Sequence, residues 1–216
     1  MTRWVWTGLG LVVALVILAG ARSLITSTGS RAGRTELERP GDFGQVPDFA
    51  LTDSEGQAVT RKDLLGDYWL ADFIFTRCNG VCPILTSRMT ALTRELDRVR
   101  FVSFTVDPGH DTPEVLARFA AAVPDAARER WLFLTGPQAE IERVVLKGFR
   151  LSMATAQEGE AGAEGGDLIT HSDRFALVDP EGTIRGYYRG TEEESIARLR
   201  EDVTQLMRGR EARRDR

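Results

Sequence analysis

Two cysteines, Cys78 and Cys82, lie in the segment FIFTRCNGVCPIL, residues 73–85, and they are the only cysteines of the chain. Thiols at this spacing can form a structural disulfide, a redox pair or a metal-binding pair. A disulfide here would close a loop of about five residues and stabilise the chain by only about 2 kcal/mol. A chain of 216 residues, 42% of them hydrophobic, can bury a sizeable core without it. We therefore expect the pair to be chemically active rather than structural.

The N-terminal run WVWTGLGLVVALVILAGA, residues 4–21, contains no charged residue. As a helix it would rise about 27 Å, close to the thickness of a bilayer core. We expect a single transmembrane anchor at 4–21 after a cytoplasmic stub at 1–3. The alternative is a cleaved signal peptide, because the small residues AGA at 19–21 fit a cleavage site. Both readings place the cysteines outside the cytoplasm, where thiols oxidise unless a reductant or a metal protects them.

Composition divides the rest of the chain. Residues 22–42 are polar and rich in Ser, Thr and Gly, which is typical of a linker. One globular domain is predicted at 43–208, followed by a charged tail at 209–216. The net charge is −4, and no basic face with interleaved aromatic residues is present, so nucleic acid is not expected as a partner.

Apolar runs alternate with segments of helical spacing along the domain, which predicts an α/β fold with parallel central strands and antiparallel hairpins at its ends. The predicted elements are a hairpin at 47–60 with its turn at 54–56, a strand at 69–75, a helix at 83–97, a strand at 100–106, a helix at 112–123 capped by Thr112, a strand at 131–136, a helix at 137–149, a hairpin at 175–190 around Pro180-Glu181-Gly182, and a final helix at 192–207.

This order places the cysteines where the first central strand ends and its helix begins, the edge at which open α/β sheets bind ligands. Pro83 is tolerated only in the first turn of a helix, so Cys82 is expected at the helix start and Cys78 in the loop before it. The positive end of the helix dipole is expected to lower the pKa of both thiols.

A metal site needs a further ligand, and the chain has two histidines. His171 lies just before a strand that should neighbour the first central strand, after a glycine-rich acidic stretch at 155–167 that is read as a solvated loop. Two thiolates and one imidazole suit Cu(I), and can hold Cu(II) if a fourth ligand or water joins, whereas a structural zinc site needs four protein ligands. The alternative for His171 is a hydrogen-bonded loop residue. His110 is predicted to be an exposed turn residue, and Asp107 and Asp111 to be turn and cap carboxylates.

Three ordered segments resemble motifs of the Sco/SenC family of membrane-anchored copper proteins: FIFTRCNGVCP, FTVDPGHDTPEVL and THSDRFALVDPEG. The resemblance covers residues 44–207. It implies a thioredoxin-like fold with an N-terminal hairpin and insertions, and copper held by Cys78, Cys82 and His171. Independently, two cysteines four positions apart at a helix start are close enough to form a disulfide, so we expect a redox-active Cys78–Cys82 pair. Many members have a proline and then an acidic residue after the first cysteine, where this chain has Asn79 and Gly80. Arg77 stands where histidine is common. These departures bear on affinity, redox potential and partner choice.

The same resemblance favours a metallochaperone and leaves a thiol-disulfide reductase activity open. Its task would be to mature the binuclear copper site of cytochrome c oxidase, by delivering copper, by reducing the cysteines of that site, or both. The implied partners are the copper-bearing oxidase subunit and an upstream copper donor. The implied location is the inner (cytoplasmic) membrane, with the domain on the periplasmic or extracytoplasmic side.

The competing function is an exported thiol-disulfide oxidoreductase or a peroxiredoxin-like enzyme that uses Cys78 and Cys82. Thioredoxin-type reductases have Cys-x-x-Cys and a proline in the loop that faces the cysteines. This chain has Cys-x-x-x-Cys and no proline between Pro137 and Pro180. Thr76 precedes Cys78 by only two residues, closer than the peroxiredoxin pattern.

Overall fold

The computed structural model of the chain describes residues 40–151, 154–155, 169–170 and 172–214. In that part of the chain, no helix is both long enough and apolar enough to span a bilayer. The expected anchor at 4–21 and all but the end of the expected linker at 22–42 lie outside the described residues.

A mixed seven-stranded sheet forms the centre of the domain. The strands, in chain order, are β1 (Ala50–Asp53), β2 (Ala58–Thr60), β3 (Tyr68–Ile74), β4 (Val99–Thr105), β5 (Trp131–Thr135), β6 (Ala154–Thr155), β7 (Ile169–Thr170), β8 (Arg174–Val178) and β9 (Ile184–Arg189). Strands β6 and β7 pair separately, and the other seven lie in the order β2-β1-β5-β4-β3-β8-β9. Strands β3, β4 and β5 run parallel, while the strands on either side join antiparallel. The predicted parallel centre and the two predicted hairpins are confirmed.

The helices fill the connections between these strands. They are α1 (Cys82–Glu95), α2 (Pro113–Ala120), α3 (Asp125–Arg128), α4 (Gln138–Glu142) and α5 (Glu193–Arg214), with a 3₁₀ turn at Arg61–Leu64. The helix predicted at 137–149 is divided, because α4 passes into a π-helical segment at Arg143–Gly148. The final helix is longer than predicted, and it reaches Arg214 within the segment predicted as a tail. As predicted, Thr112 caps α2, and its hydroxyl accepts from the backbone N–H of Val115 at 3.4 Å.

Every residue of β3 is buried, because both faces of the sheet are covered. Successive side chains of a strand point to opposite faces. Leu70 and Ile74 therefore pack on the side of α1, α2 and α5. Trp69 and Phe73 pack on the other side against Phe149, with ring centroids 6.0 and 5.0 Å apart respectively. Burial on both faces explains the unbroken apolar character of this strand.

Three chain segments meet at one edge of the sheet. Ile74 at the end of β3 pairs in register with Thr105 at the end of β4, so the loops at 75–81 and 106–112 leave the sheet side by side. Strand β8 runs antiparallel to β3, with Ala71 opposite Ala176. Residues 172–173, which precede β8, therefore lie toward the same edge. This edge carries the cysteines.

Candidate metal centre

The structure places both cysteines where the sequence predicts them. Cys82 is the first residue of α1 and is only 1% exposed, and Pro83 occupies the first turn. Cys78 lies in the loop from β3 and is partly buried against the core. Its backbone N–H donates to the carbonyl of Phe75 at 3.2 Å, which curls the loop back on the end of β3. One cysteine is therefore buried at the helix start and the other is partly exposed.

The two thiols lie next to each other without being joined. Neither cysteine is in a disulfide, and their side chains are hydrogen-bonded to each other. Two sulfurs in contact form a soft donor pair, which suits Cu(I) better than the hard oxygen-seeking cations. The same proximity suits formation of a disulfide, since the partners need little movement to bond.

The expectation that the helix start lowers the pKa of both thiols is wrong for Cys82. Burial raises the pKa of Cys82 to about 12. A hydrogen bond to the backbone of Phe75 acts in the opposite direction, and the Cys78 side chain and the charge of Asp72 raise the pKa further. Desolvation of a thiolate at this depth outweighs the helix dipole. The metal-free Cys82 thiol is therefore neutral at physiological pH.

Asp72 is a buried carboxyl group that the sequence analysis missed. It lies in β3 with no exposed surface, on the same side of the sheet as α1, and its charge acts on Cys82. The Ser103 hydroxyl donates to its Oδ1 at 2.5 Å, and the indole N–H of Trp131 donates to Ser103 Oγ at 2.8 Å. No donor among the described residues reaches Oδ2. Burial raises the pKa of Asp72 to about 7, and the Ser103 hydrogen bond offsets only part of this shift. Its only signal in the sequence is a single acidic residue inside the apolar run WLADFIF.

Asp111 is not the cap or turn carboxylate that the sequence predicted. Its side chain is fully buried and is hydrogen-bonded to the loop at 75–81, which we call the cysteine loop. Asp111 Oδ1 accepts from the Thr76 hydroxyl at 2.5 Å, and Oδ2 accepts from the backbone N–H of Thr76 at 3.1 Å. The Thr105 hydroxyl also donates to Oδ2, at 2.6 Å. The neighbouring residues in the sequence predict only a local role for Asp111. Its actual partner, Thr76, is brought close by the fold, which places the 106–112 loop against the 75–81 loop.

The other residues of the 106–112 loop behave as predicted. His110 is exposed in a turn, and its backbone N–H donates to the carbonyl of Asp107 at 3.1 Å. The Asp107 side chain has a contact that the sequence did not predict, since Arg77 Nη2 lies 2.7 Å from Asp107 Oδ2. Arg77 is 60% exposed, so this ion pair contributes little stability.

His171, the third predicted ligand, lies outside the described residues, as does the predicted solvated loop at 155–167 except for its first residue. Among the residues that the structure describes, no group of three or more His, Cys, Asp and Glu side chains is arranged to hold a metal ion. The strand after His171 does neighbour β3, as predicted. The ligand role of His171 stays a prediction.

Comparison with known proteins gives a consistent match over the domain. The family model described as SCO1/SenC matches residues 38–208. A SCO1 protein homolog of Bacillus subtilis (strain 168) is 38% identical over 165 residues, which are 74% of this chain and 81% of the relative.

Solved structures share the fold. BsSco, described as a member of the Sco family of cytochrome c oxidase assembly proteins in which a disulfide switch was identified, has a TM-score of 0.63 and 35% identity. That match covers 79% of this chain and 97% of BsSco. The structure of Bradyrhizobium japonicum ScoI with copper bound has a TM-score of 0.58 and 26% identity, covering 73% of this chain and 99% of that chain. The predicted mixed α/β, thioredoxin-like fold is confirmed.

Proposed function

We propose that this protein, which belongs to the SCO1/SenC family, binds copper through Cys78 and Cys82, with His171 as the third ligand. The observation that carries the proposal is the pair of reduced, hydrogen-bonded thiols at the carboxyl end of β3. Thiolate sulfur and imidazole nitrogen are ligands that Cu(I) prefers, and the set can hold Cu(II) when a fourth ligand joins. The copper-bound ScoI structure of the same fold supports this choice of metal.

Residues 172–173 support the choice of His171. They lie toward the edge of the sheet from which the cysteine loop leaves, because β8 is antiparallel to β3. In the sequence, His171 directly precedes these two residues. His110, the other histidine, is exposed in the neighbouring 106–112 loop and has no role in the proposed site.

The copper is the cargo of a metallochaperone. We place its destination at the binuclear copper site of cytochrome c oxidase, so the partners are the copper-bearing oxidase subunit and an upstream copper donor. The description of BsSco as a cytochrome c oxidase assembly protein supports this destination. The uncharged run at 4–21 supports a single-pass anchor in the inner membrane, with the domain on the extracytoplasmic side.

A second activity is favoured by the contact between the thiols. Two reduced cysteines in hydrogen-bonding contact can exchange with the cysteines of a partner, and the protein would then reduce the copper site of the oxidase as well as load it. The disulfide switch described for BsSco supports a redox-active pair. Copper delivery and thiol reduction use the same two sulfurs, so they exclude each other at any one moment.

Oxidation should abolish copper loading, and this result tests the proposed function. We expect the reduced full-length chain to bind one Cu(I) tightly under anaerobic competition from a chelator, because both sulfurs are available as donors. The chain oxidised to the Cys78–Cys82 disulfide should lose that tight binding, since a disulfide sulfur is no longer a thiolate donor. The measurement is the same titration on both forms, after a free-thiol assay has established their oxidation states.

Re-reduction of the oxidised sample provides the control, since it should restore the single tight site. Equally tight binding by the fully oxidised chain would show that the cysteines are not the ligands.

A further inference from the structure

Asp111 connects the end of β4 to the cysteine loop through a set of hydrogen bonds that we call the Asp111 link, made of Asp111, Thr76 and Thr105. All three hydrogen bonds end on the Asp111 carboxylate, at 2.5, 2.6 and 3.1 Å. Asp111 and Thr105 have no exposed surface. A carboxylate is expensive to bury unless donors satisfy it, and here three donors do so.

The link is fixed firmly on the side of the 106–112 loop. Thr105 is the last residue of β4, and its hydroxyl also accepts from the backbone N–H of Asp107 at 3.0 Å. The backbone N–H of Asp111 donates to the carbonyl of Asp107 at 2.8 Å. The next residue, Thr112, is the N-cap of α2. Asp111 is therefore held by a strand, a turn and a helix start.

On the other side, the Asp111 carboxylate is hydrogen-bonded to the beginning of the cysteine loop. Thr76 contributes both its hydroxyl and its backbone N–H, and it precedes Cys78 by two residues. Cys78 itself donates to the carbonyl of Phe75, the residue before Thr76. A displacement of Thr76 would therefore carry Cys78 with it. Cys82, in contrast, is buried at the start of α1 and is held by the core.

We propose that Asp111 is a positioning residue that acts through Thr76 to hold Cys78 in contact with Cys82. It acts by fixing the loop that carries the partly exposed Cys78 beside the buried Cys82. The inference rests on the proposed function in that the two thiols are the working groups, whether they bind copper or exchange disulfides. Partners that orient a working ligand in this way change affinity by roughly 10–100-fold when they are removed.

The test compares four full-length chains: unaltered, Thr76→Val, Thr76→Ser and Thr105→Val. Valine keeps the shape of threonine and removes its hydroxyl, so Thr76→Val removes the shorter of the two hydrogen bonds between Thr76 and Asp111 and keeps the bond from the backbone N–H. Thr105→Val removes one hydroxyl from the same carboxylate at β4, away from that loop, and it also leaves the Asp107 N–H without this acceptor. It should therefore lower the thermal midpoint at least as much as Thr76→Val. Thr76→Ser keeps the hydroxyl and serves as the rescue.

The readout is the equilibrium of the thiol pair with glutathione. The protein dithiol reacts with glutathione disulfide to give the protein disulfide and two glutathione thiols, and the equilibrium constant reports how well Cys78 is placed against Cys82. We expect Thr76→Val to lower this constant about tenfold, because the loop is held to Asp111 by one hydrogen bond instead of two and fixes Cys78 less firmly beside Cys82. Thr76→Ser and Thr105→Val should change it by less than about threefold, because both variants keep the hydrogen bond from the residue 76 hydroxyl to Asp111.

Two results would overturn the inference. One is a Thr76→Val constant within about threefold of the unaltered chain, and the other is a Thr105→Val effect as large as that of Thr76→Val, which would mark a general loss of structure. Anaerobic Cu(I) titration of the same chains separates the two proposals. If the unaltered chain exchanges with glutathione but binds no Cu(I), the copper function fails, and the glutathione constants still decide the role of Asp111.

Discussion

Serine in place of either cysteine should remove tight Cu(I) binding from the reduced full-length chain. A serine hydroxyl is a hard, protonated oxygen donor, whereas Cu(I) prefers thiolate sulfur. We expect Cys78→Ser and Cys82→Ser each to weaken binding by more than about 100-fold, beyond the range seen when only the partners of a ligand are removed. Competition with a Cu(I) chelator measures the change.

Folding must be controlled in these variants, because Cys82 is buried in the core while Cys78 is partly exposed. The metal-free thermal midpoint of Cys78→Ser should stay close to that of the unaltered chain. Cys82→Ser should be less stable, since it places a hydroxyl in an apolar environment. If Cys78→Ser is folded and still binds Cu(I) at full strength, the Cys78 thiol is not a ligand.

Asp72→Asn should make the chain more stable, and the gain should grow with pH. The folded-state pKa of Asp72 is raised to about 7, whereas an aspartate in the unfolded chain titrates near 3.9. The contribution of Asp72 to the free energy of unfolding is therefore fully present below about pH 4. It is lost as the pH rises to about 7, because the Asp72 carboxyl ionises at a lower pH in the unfolded chain than in the folded chain. About 3 pH units of difference correspond to roughly 4 kcal/mol.

Asparagine cannot ionise, and its side-chain oxygen can still accept from Ser103. The variant and the unaltered chain should therefore have similar unfolding free energies near pH 4, and the variant should be more stable by up to about 4 kcal/mol at pH 8. Urea unfolding at a series of pH values measures the difference. A difference that stays constant from pH 4 to pH 8 would show that Asp72 does not titrate between those values in the folded chain.

The arrangement of strands was predictable because it depends on local pattern. The run WLADFIF is unbroken and apolar, and it forms β3, buried on both faces. Proline in the first turn fixed the start of α1, and hence the position of Cys82. Turn residues marked the two hairpins.

The supporting residues of the site were not predictable, because they depend on contacts between distant segments. Asp72 meets Ser103 across two parallel strands, and Asp111 meets Thr76 across two loops. The two residues of each contact are more than 30 positions apart, and no sequence pattern relates them. The pKa of Cys82 was predicted in the wrong direction because helix position is visible in a sequence, whereas depth of burial is not. The π-helical segment at Arg143–Gly148 likewise has no pattern that distinguishes it from an α-helix.

The proposed three-ligand copper site is tested most directly by a Cu(I) competition titration of two matched variants, His171→Ala and His110→Ala. Each removes one imidazole, and together they account for both histidines of the chain. We predict that His171→Ala weakens binding by at least about tenfold, because a ligand is lost, and that His110→Ala leaves the affinity of the unaltered chain unchanged. Unchanged affinity in His171→Ala would contradict the three-ligand site and leave a dithiol protein in its place.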